Sequence, residues 1–320
     1  MKKLTCILLA MVLVLGLGVG ATAEGTQRKF GLMLYSEVDE ATISIRTGVE
    51  KACAENGVEL ETYSIEMDYT KCPTYLQMFF DHGCDAIIDA TWSAEVGLIT
   101  SQTCAAQGVP LITCDVGYDD YAHLVGANNY NSGRVNGEYV TNWVKQNWDG
   151  KIDYVLAMYL VSTGEGVKQR ITGCLDVINE NGLLPADDRV VWFDGASTEL
   201  CYGYVMNWLQ ANPQAKNVYI INNNDSGALG SYNACVAMGR ENDCMITSYN
   251  CDSFALEHFA TVEDSCWKAS CNFNLKGYGD IAVPALLDIL NTGVDNQPHE
   301  LNTQTFMVDR ANVAEYYTAK

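Results

Sequence analysis

Residues 218–230 read VYIINNNDSGALG. The first four positions are apolar without alternation, which is typical of a parallel strand covered on both faces. Asp225 or Ser226 then occupies the position where the N-cap of a following helix is expected. The asparagines between them therefore mark the carboxyl end of a strand. Because open α/β sheets bind ligands at that edge, the stretch predicts a binding loop, and a plain turn with a helix cap remains the alternative.

The same strand-and-helix unit recurs along the whole chain. Strands are predicted at residues 30–35, 58–65, 85–89, 109–114, 123–126, 152–158, 190–193, 218–221, 245–249, 268–273 and 305–308, with helices between most of them. Four such steps in the first part predict a parallel, doubly wound sheet, and the rhythm restarts after residue 126. No low-complexity linker separates the two halves. We therefore expect an α/β protein of two lobes whose chain crosses between them more than once.

Composition limits the partners. The chain has 320 residues, of which 48% are hydrophobic and 18% charged, so it can form about two domains. Its formal net charge is -21, and no basic cluster interrupts the acidity. That charge argues against nucleic acid and anionic membranes as partners.

The amino terminus has the pattern of an export signal. Lys2 and Lys3 precede an apolar stretch from about Ile7 to Leu17, and the small residues 21–23 follow it. This pattern predicts a signal peptide over residues 1–23 that is cleaved before Glu24. A soluble protein in the periplasm or outside the cell is expected.

The chain has thirteen cysteines, twelve of them after the predicted cleavage site. None are spaced as C-x-x-C, so zinc ribbons and thioredoxin-like sites are not indicated. Several occupy positions that suit a small apolar residue, as free cysteine does. Mostly free thiols are expected, with Cys266–Cys271 or Cys244–Cys251 as alternative pairs.

Five pieces of sequence, taken in order, resemble one family. They are residues 108–115, 126–129, 168–173, 223–230 and 249–252. Together they resemble the periplasmic sugar-binding proteins of ABC importers, of the ribose and galactose type, over essentially all of the mature chain.

The resemblance implies an architecture as well as a function. It implies two doubly wound parallel-sheet lobes joined by a three-crossover hinge near Ala127, Asn274 and Glu300. The lobes would comprise residues 24–127 with 275–300, and residues 128–274 with 301–320. They would close on a ligand in the cleft between them.

The resemblance also implies a set of ligand-binding residues, namely Asp115, Arg170, Asn224 and Asp252. Sugar hydroxyls both donate and accept hydrogen bonds, so a carboxylate, a guanidinium and an amide all suit them. Roles as helix caps, surface turns or surface ion pairs are the alternatives for these positions.

Three positions depart from the family pattern. The first loop carries Asp39 where aromatic residues that stack on the sugar are usual. Val116 follows Asp115 where arginine is common, and Phe273 stands where glutamine is frequent. Trp92, which follows the strand that contains Asp89, is predicted to provide the stacking surface, with Tyr35 and Tyr118 as secondary candidates. Ordinary packing of a loop on a helix is the alternative for Trp92.

The predicted cleft holds more acid than base. Asp39, Asp89, Asp115 and Asp252 would face Arg170 alone, and buried like charges are costly. This imbalance leads to the hypothesis of a sugar-like polyol that carries a positive group, such as an amine.

Catalytic signatures are missing from the sequence. There is no G-x-S-x-G, H-E-x-x-H or P-loop motif, and the four histidines are dispersed. No catalytic residue, metal or cofactor is therefore expected. The predicted protein is a monomer that delivers its ligand to an ABC permease. The alternatives are a ligand-sensing domain for a membrane receptor, or a secreted glycoside-acting enzyme that uses Asp115 and Asp252.

Overall fold

The computed structural model describes residues 27–293 and 296–317. The predicted signal peptide lies outside the described residues. No helix in these two ranges has the length and apolarity needed to span a bilayer.

The described residues form twelve strands and nine α-helices. The strands are β1 (Lys29–Leu34), β2 (Glu59–Ser64), β3 (Ala86–Ala90), β4 (Leu111–Cys114), β5 (His123–Ala127), β6 (Tyr154–Tyr159), β7 (Val190–Asp194), β8 (Val218–Asn222), β9 (Cys244–Asn250), β10 (Trp267–Asn272), β11 (Glu300–Thr303) and β12 (Phe306–Asp309). The helices are α1 (Glu40–Glu55), α2 (Cys72–Asp81), α3 (Ala94–Gln107), α4 (Asn129–Asn147), α5 (Gly164–Glu180), α6 (Thr198–Ala211), α7 (Asp225–Met238), α8 (Ser253–Thr261) and α9 (Tyr278–Thr292).

These strands build two sheets of six. The first has the order β11-β5-β4-β3-β1-β2, and all its strands are parallel. The second has the order β12-β10-β9-β8-β6-β7 and is parallel except for β12, which runs antiparallel to β10. The predicted fold class, two parallel-sheet α/β lobes, is confirmed.

Helices cover both faces of each sheet. In the first lobe, α1 and α9 pack on one face and α2 and α3 on the other. In the second, α4 and α5 pack on one face and α6, α7 and α8 on the other. Ile220 and Ile221 in β8 are both completely buried and belong to opposite faces. This double burial explains why the strand carries an unbroken apolar run.

The chain passes between the two sheets three times. The first passage follows β5 at Ala127, and the second follows β10 near Asn274, which has a positive φ of 55° that asparagine tolerates. The third lies between Thr303 and Phe306, because β11 pairs with β5 of the first sheet. Glu300, where this passage was expected, begins β11 instead.

The junction after β8 differs in detail from its predicted capping. Asn224, not Asp225 or Ser226, is the N-cap of α7, and its Oδ1 accepts from Gly227 N at 2.8 Å. Asp225 is completely buried and accepts from the Ser248 hydroxyl at 2.5 Å. It is a structural acceptor in the second lobe.

All twelve cysteines of the described residues are free. The prediction of free thiols is confirmed, and both proposed pairs are wrong. Cys244 and Cys251 lie seven residues apart along β9 and its end, roughly 23 Å at the usual strand rise. Cys266 and Cys271 lie about 16 Å apart along β10 by the same rise. A disulfide needs Cα atoms within about 7 Å.

Candidate functional site

The carboxyl ends of the two sheets enclose a cavity of about 380 Å³. Its walls come from residues that follow four strands of the first lobe and four of the second, including Tyr35, Met67, Trp92, Asp115, Leu160, Ser197, Asn223 and Asn250. The cavity therefore lies where ligands bind in open α/β folds.

Arg170 lies in the wall of the cavity and is fixed on several sides. Its side chain projects from α5 and the residue is only 5% exposed. Nε donates to Asn129 Oδ1 at 2.7 Å and Nη1 donates to the Asn223 carbonyl at 3.2 Å. The guanidinium lies 4.5 Å from the centroid of the Phe273 ring, and its Nη2 is 3.7 Å from Asp115 Oδ1. A buried guanidinium needs such partners, because desolvation of an unpaired charge is costly.

Asp115 faces Arg170 from the other lobe. It follows β4 with a φ of 64°, and Gly126 leaves room for it, since a Cβ there would lie 2.9 Å from Asp115 Oδ1. The Tyr278 hydroxyl donates to Asp115 Oδ1 at 2.6 Å. Burial raises the pKa of Asp115, while Arg170 and the Tyr278 hydroxyl oppose the rise. The site therefore joins opposite charges held by different lobes.

Asn224 and Asp39 line the cavity, but both also cap helices. Asn224 Oδ1 caps α7 as described, and Asp39 Oδ1 caps α1 by accepting from Thr42 N at 2.9 Å. Their alternative roles as caps are thus present in the structure. Asp39 Oδ1 and Asn224 Oδ1 are therefore both already engaged in hydrogen bonds within the protein.

Asp252 and Asp89 were both predicted to bind ligand, yet neither lines the cavity. Asp252 precedes α8 beside Asp225, and burial, followed by the nearby carboxylates of Asp225 and Asp39, raises the pKa of Asp252 well above its ordinary value. Asp89 is completely buried and accepts from Thr91 N at 2.9 Å and from the Tyr118 hydroxyl at 3.2 Å. The Asp89 side chain therefore turns into the first lobe, whereas Asp252 lies near enough to Asp39 of the first lobe to be affected by its charge.

Phe273 also does not line the cavity. It is completely buried and packs against Arg170, so it supports the guanidinium from behind. With Asp89 and Asp252 outside the lining, the excess of acid is smaller than expected, because only Asp115 and Asp39 remain against Arg170. Asp115 is paired with Arg170, and Asp39 alone adds a further negative charge.

Trp92 lines the cavity beside a second ring, Tyr35, with the ring centroids 5.6 Å apart. Trp92 has a φ of 60°, and its Nε1 is buried without a hydrogen-bond partner. The predicted stacking surface is therefore placed at the cavity, with an unused donor.

Three further residues of the site were not predicted from the sequence. Asn129 and Tyr278 hold the two charges in place. Asn223 lines the cavity, is only 4% exposed, and its Oδ1 has no partner. Asn223 and Asn129 had signals in the sequence, because Asn223 lies in the asparagine run after β8 and Asn129 lies in one of the stretches that resemble the family. Tyr278 had none.

A hydrogen bond also joins the lobes at the edge of the cleft. Glu40 Oε1, at the start of α1, accepts from Ser253 N, at the start of α8, at 2.7 Å. A carboxylate is favourable at the positive end of a helix. The described residues bring together no three side chains that could hold a metal ion.

Known proteins match the chain along most of its length. The family described as periplasmic binding protein domain matches residues 30–293. The ribose import binding protein of Bacillus subtilis (strain 168) is 22% identical over 275 residues, which is 84% of either chain.

Solved structures match the fold. An ABC transporter periplasmic solute-binding protein from Actinobacillus succinogenes 130z with bound D-allose is 19% identical, with a TM-score of 0.75 over 91% of this chain and 100% of its own. One from Bacillus halodurans C-125 with bound myo-inositol is 21% identical, with a TM-score of 0.76 over 91% and 97%. The fructose-binding periplasmic domain of a hybrid two-component system is 22% identical, with a TM-score of 0.76 over 91% and 93%.

Proposed function

The chain belongs to the periplasmic binding protein domain family, and we propose that it captures a small sugar or polyol between its lobes and delivers it to the permease of an ABC importer. The observation that carries the proposal is the pair of Arg170 and Asp115, which come from opposite lobes and meet in the wall of one cavity. We further propose that the protein is exported by its signal peptide and acts as a monomer in the periplasm or outside the cell.

The unused groups of the cavity suit hydroxyls. Asn223 Oδ1 and Trp92 Nε1 are buried and have no hydrogen-bond partner among the described residues. In the proposed complex, Asn223 Oδ1 accepts from a ligand hydroxyl and Trp92 Nε1 donates to one. The Trp92 and Tyr35 rings provide an apolar surface for the C–H side of a sugar ring. Because a buried polar group without a partner is costly, a ligand that satisfies both groups is stabilised.

Closure of the lobes supports capture rather than catalysis. The Glu40 contact with Ser253 and the Arg170 pair with Asp115 both require the two lobes to lie together. A ligand held by both lobes stabilises that closed form. Glycoside cleavage by Asp115 and Asp252 is disfavoured, since Asp252 does not line the cavity.

Sensing is a second candidate, favoured by one observation. The fold is shared with the fructose-binding periplasmic domain of a two-component system. Loss of ligand uptake in cells that lack this protein would support import. Normal uptake with loss of a ligand-induced response would support sensing.

The test of capture is a thermal-shift and calorimetric panel of pentoses, hexoses, inositols, glycerol and amino sugars. We expect one neutral polyol to raise the melting temperature and to bind with one-to-one stoichiometry. Arg170→Lys keeps the charge but loses the planar fork, so it should weaken binding at least tenfold. Arg134→Lys is the matched control, because Arg134 lies on the surface of α4, paired with Glu180.

Two results would contradict the proposal. One is a panel in which no polyol shifts the melting temperature of the purified protein. The other is an Arg170→Lys variant that binds the ligand as tightly as the parent does. An amino sugar that outcompetes every neutral polyol would instead revive the hypothesis of a positively charged ligand.

A further inference from the structure

The polarity of the cavity changes from one end to the other. In the first sheet, the strands that line it run in the order β4, β3, β1 and β2, with β2 at the edge. Asp115 follows β4 at the inner end, whereas Met67 and Tyr69 follow β2 at the outer end. The inner end is therefore charged, and the outer end is formed by a thioether and an aromatic ring.

The second lobe repeats this gradient. Its lining strands run in the order β9, β8, β6 and β7, with β7 at the edge. Asn250 ends the inner strand β9 and Asn223 follows the inner strand β8, whereas Leu160 follows β6 and Leu200 lies in the helix after β7. The polar ends of the two lobes thus face each other, and so do the apolar ends.

Polar side chains near the outer end are used by the protein itself. Asp39 Oδ1 accepts both the main-chain N–H and the hydroxyl of Thr42. Ser197 Oγ accepts from Leu200 N at 3.3 Å, as the cap of α6. Asp39 Oδ2 is therefore the charged oxygen that remains near this end, and the rest of the surface left for a ligand there is mainly apolar.

Much of that apolar surface is exposed to water. Met67 is 53% exposed and Leu200 is 48% exposed, although both line the cavity. A row of rings leads toward them along the first lobe, with Tyr35 5.6 Å from Trp92 and 6.1 Å from Tyr69 between centroids. Covering such surface with an apolar group of the ligand is favourable, in proportion to the area removed from water.

From this gradient we propose that the ligand is a glycoside with an apolar substituent. Its hydroxyls bind at the inner end, near Asp115, Arg170 and Asn223. Its aryl or alkyl group lies at the outer end against Met67 and Leu200. This inference rests on the proposed capture of a sugar and adds a second part to the ligand.

The test uses matched pairs of methyl and phenyl glycosides of the common hexoses and pentoses, measured by calorimetry on the full mature chain. For the sugar that binds, the phenyl glycoside should bind about tenfold more tightly, as expected if it covers roughly 60 Å² of additional apolar surface. Met67→Ser and Leu200→Ser should each reduce the ratio of the two affinities toward one. Leu98→Ser is the control, because Leu98 is 38% exposed on α3 and does not line the cavity.

The outcomes separate this inference from the proposed function. If methyl glycosides bind and phenyl glycosides bind equally or more weakly, the second part of the ligand is refuted and sugar capture stands. If the tenfold ratio survives in Met67→Ser and Leu200→Ser, the apolar subsite is not at the outer end and the inference fails. If no free sugar or glycoside binds, sugar capture itself is refuted.

Discussion

Asp89 gives the protein a pH-dependent stability that one substitution should remove. The side chain is completely buried, and burial raises its pKa from 3.8 to about 6, although hydrogen bonds from Thr91 and Tyr118 oppose the rise. Between these values the folded protein binds more protons than the unfolded chain. The stabilising contribution of the protonated form is therefore complete below pH 3.8 and is lost as the pH rises through 6. The two pKa values correspond to a change of about 3 kcal/mol in the free energy of unfolding.

Asp89→Asn keeps an oxygen that accepts from Thr91 N but cannot ionise. Urea unfolding of parent and variant, measured at intervals from pH 4 to pH 7.5, gives the difference between their free energies of unfolding. Over this pH range, that difference should change by about 2.5 kcal/mol in favour of the variant as the pH rises. Other buried carboxyls, such as Asp225 with its pKa raised to about 7, are present in both proteins and cancel.

Tyr118→Phe serves as an internal control, because the hydrogen bond of the Tyr118 hydroxyl lowers the pKa of Asp89. Loss of this hydrogen bond should raise the pKa of Asp89 further, so the pH-dependent loss of stability should shift to higher pH. Curves for parent and Asp89→Asn that stay parallel across the range would refute the argument. Because Asp89 does not line the cavity, Asp89→Asn should also leave ligand affinity within about twofold, and a larger loss would restore the sequence-based prediction of a binding role.

Three other predictions follow from contacts elsewhere. Glu40→Ala removes the hydrogen bond to Ser253 N at the start of α8, so calorimetry should show ligand binding weakened about fivefold, or about 1 kcal/mol. An unchanged affinity would exclude a role of Glu40 in closure. Gly173→Ala places a Cβ 2.3 Å from Tyr130 O and should lower the free energy of unfolding by about 2 kcal/mol. In Gly203→Ala, on α6, the new Cβ meets nothing within 4 Å, so this control should raise the free energy of unfolding by up to about 1 kcal/mol. In denaturant without reductant, a thiol reagent should label all twelve cysteines that follow the predicted cleavage site, and fewer than twelve labels would indicate disulfides. In the native protein even half-buried Cys251 should react slowly, because burial raises the pKa of its thiol.

Most of the fold could be predicted because its strands carry the signal of burial. An unbroken apolar run such as residues 218–221 is strand-like whatever surrounds it. Strand Glu300–Thr303 was missed because it has no such signal: its residues are half-buried or exposed, and it is a strand only because it pairs with β5. The third crossover was placed too early for the same reason.

The site could be predicted in position but not in the direction of its side chains. Parallel strands end at a common edge, and the resemblance to periplasmic sugar-binding proteins implied that the edges of the two sheets face one cleft, so Asp115 and Asn224 could be placed near it. Whether a side chain at that edge turns toward the cleft depends on its tertiary partners. Asp89 turns toward Tyr118, and Phe273 turns beneath Arg170. These partners lie 29 residues from Asp89 and on a different element from Phe273, so no local pattern reveals them.

The partners of Arg170 and Asp115 indicate how closure and binding are connected. Asn223 and Phe273 follow strands of the second sheet, and both contact Arg170 on its own side of the cleft. Tyr278, by contrast, belongs to α9 of the first lobe and holds Asp115 from a distance of 163 residues in sequence. The side chain of each charge is therefore oriented mainly by its own lobe. The contacts that require the lobes to meet are the 3.7 Å approach of the two charges, the bond from Asn129 Nδ2 to the Asp115 carbonyl and the bond from Ser253 N to Glu40. The side chains of Arg170 and Asp115 therefore lose little conformational freedom when the cleft closes. The free energy gained when ligand hydroxyls bind between these two groups mainly stabilises the closed arrangement of the lobes.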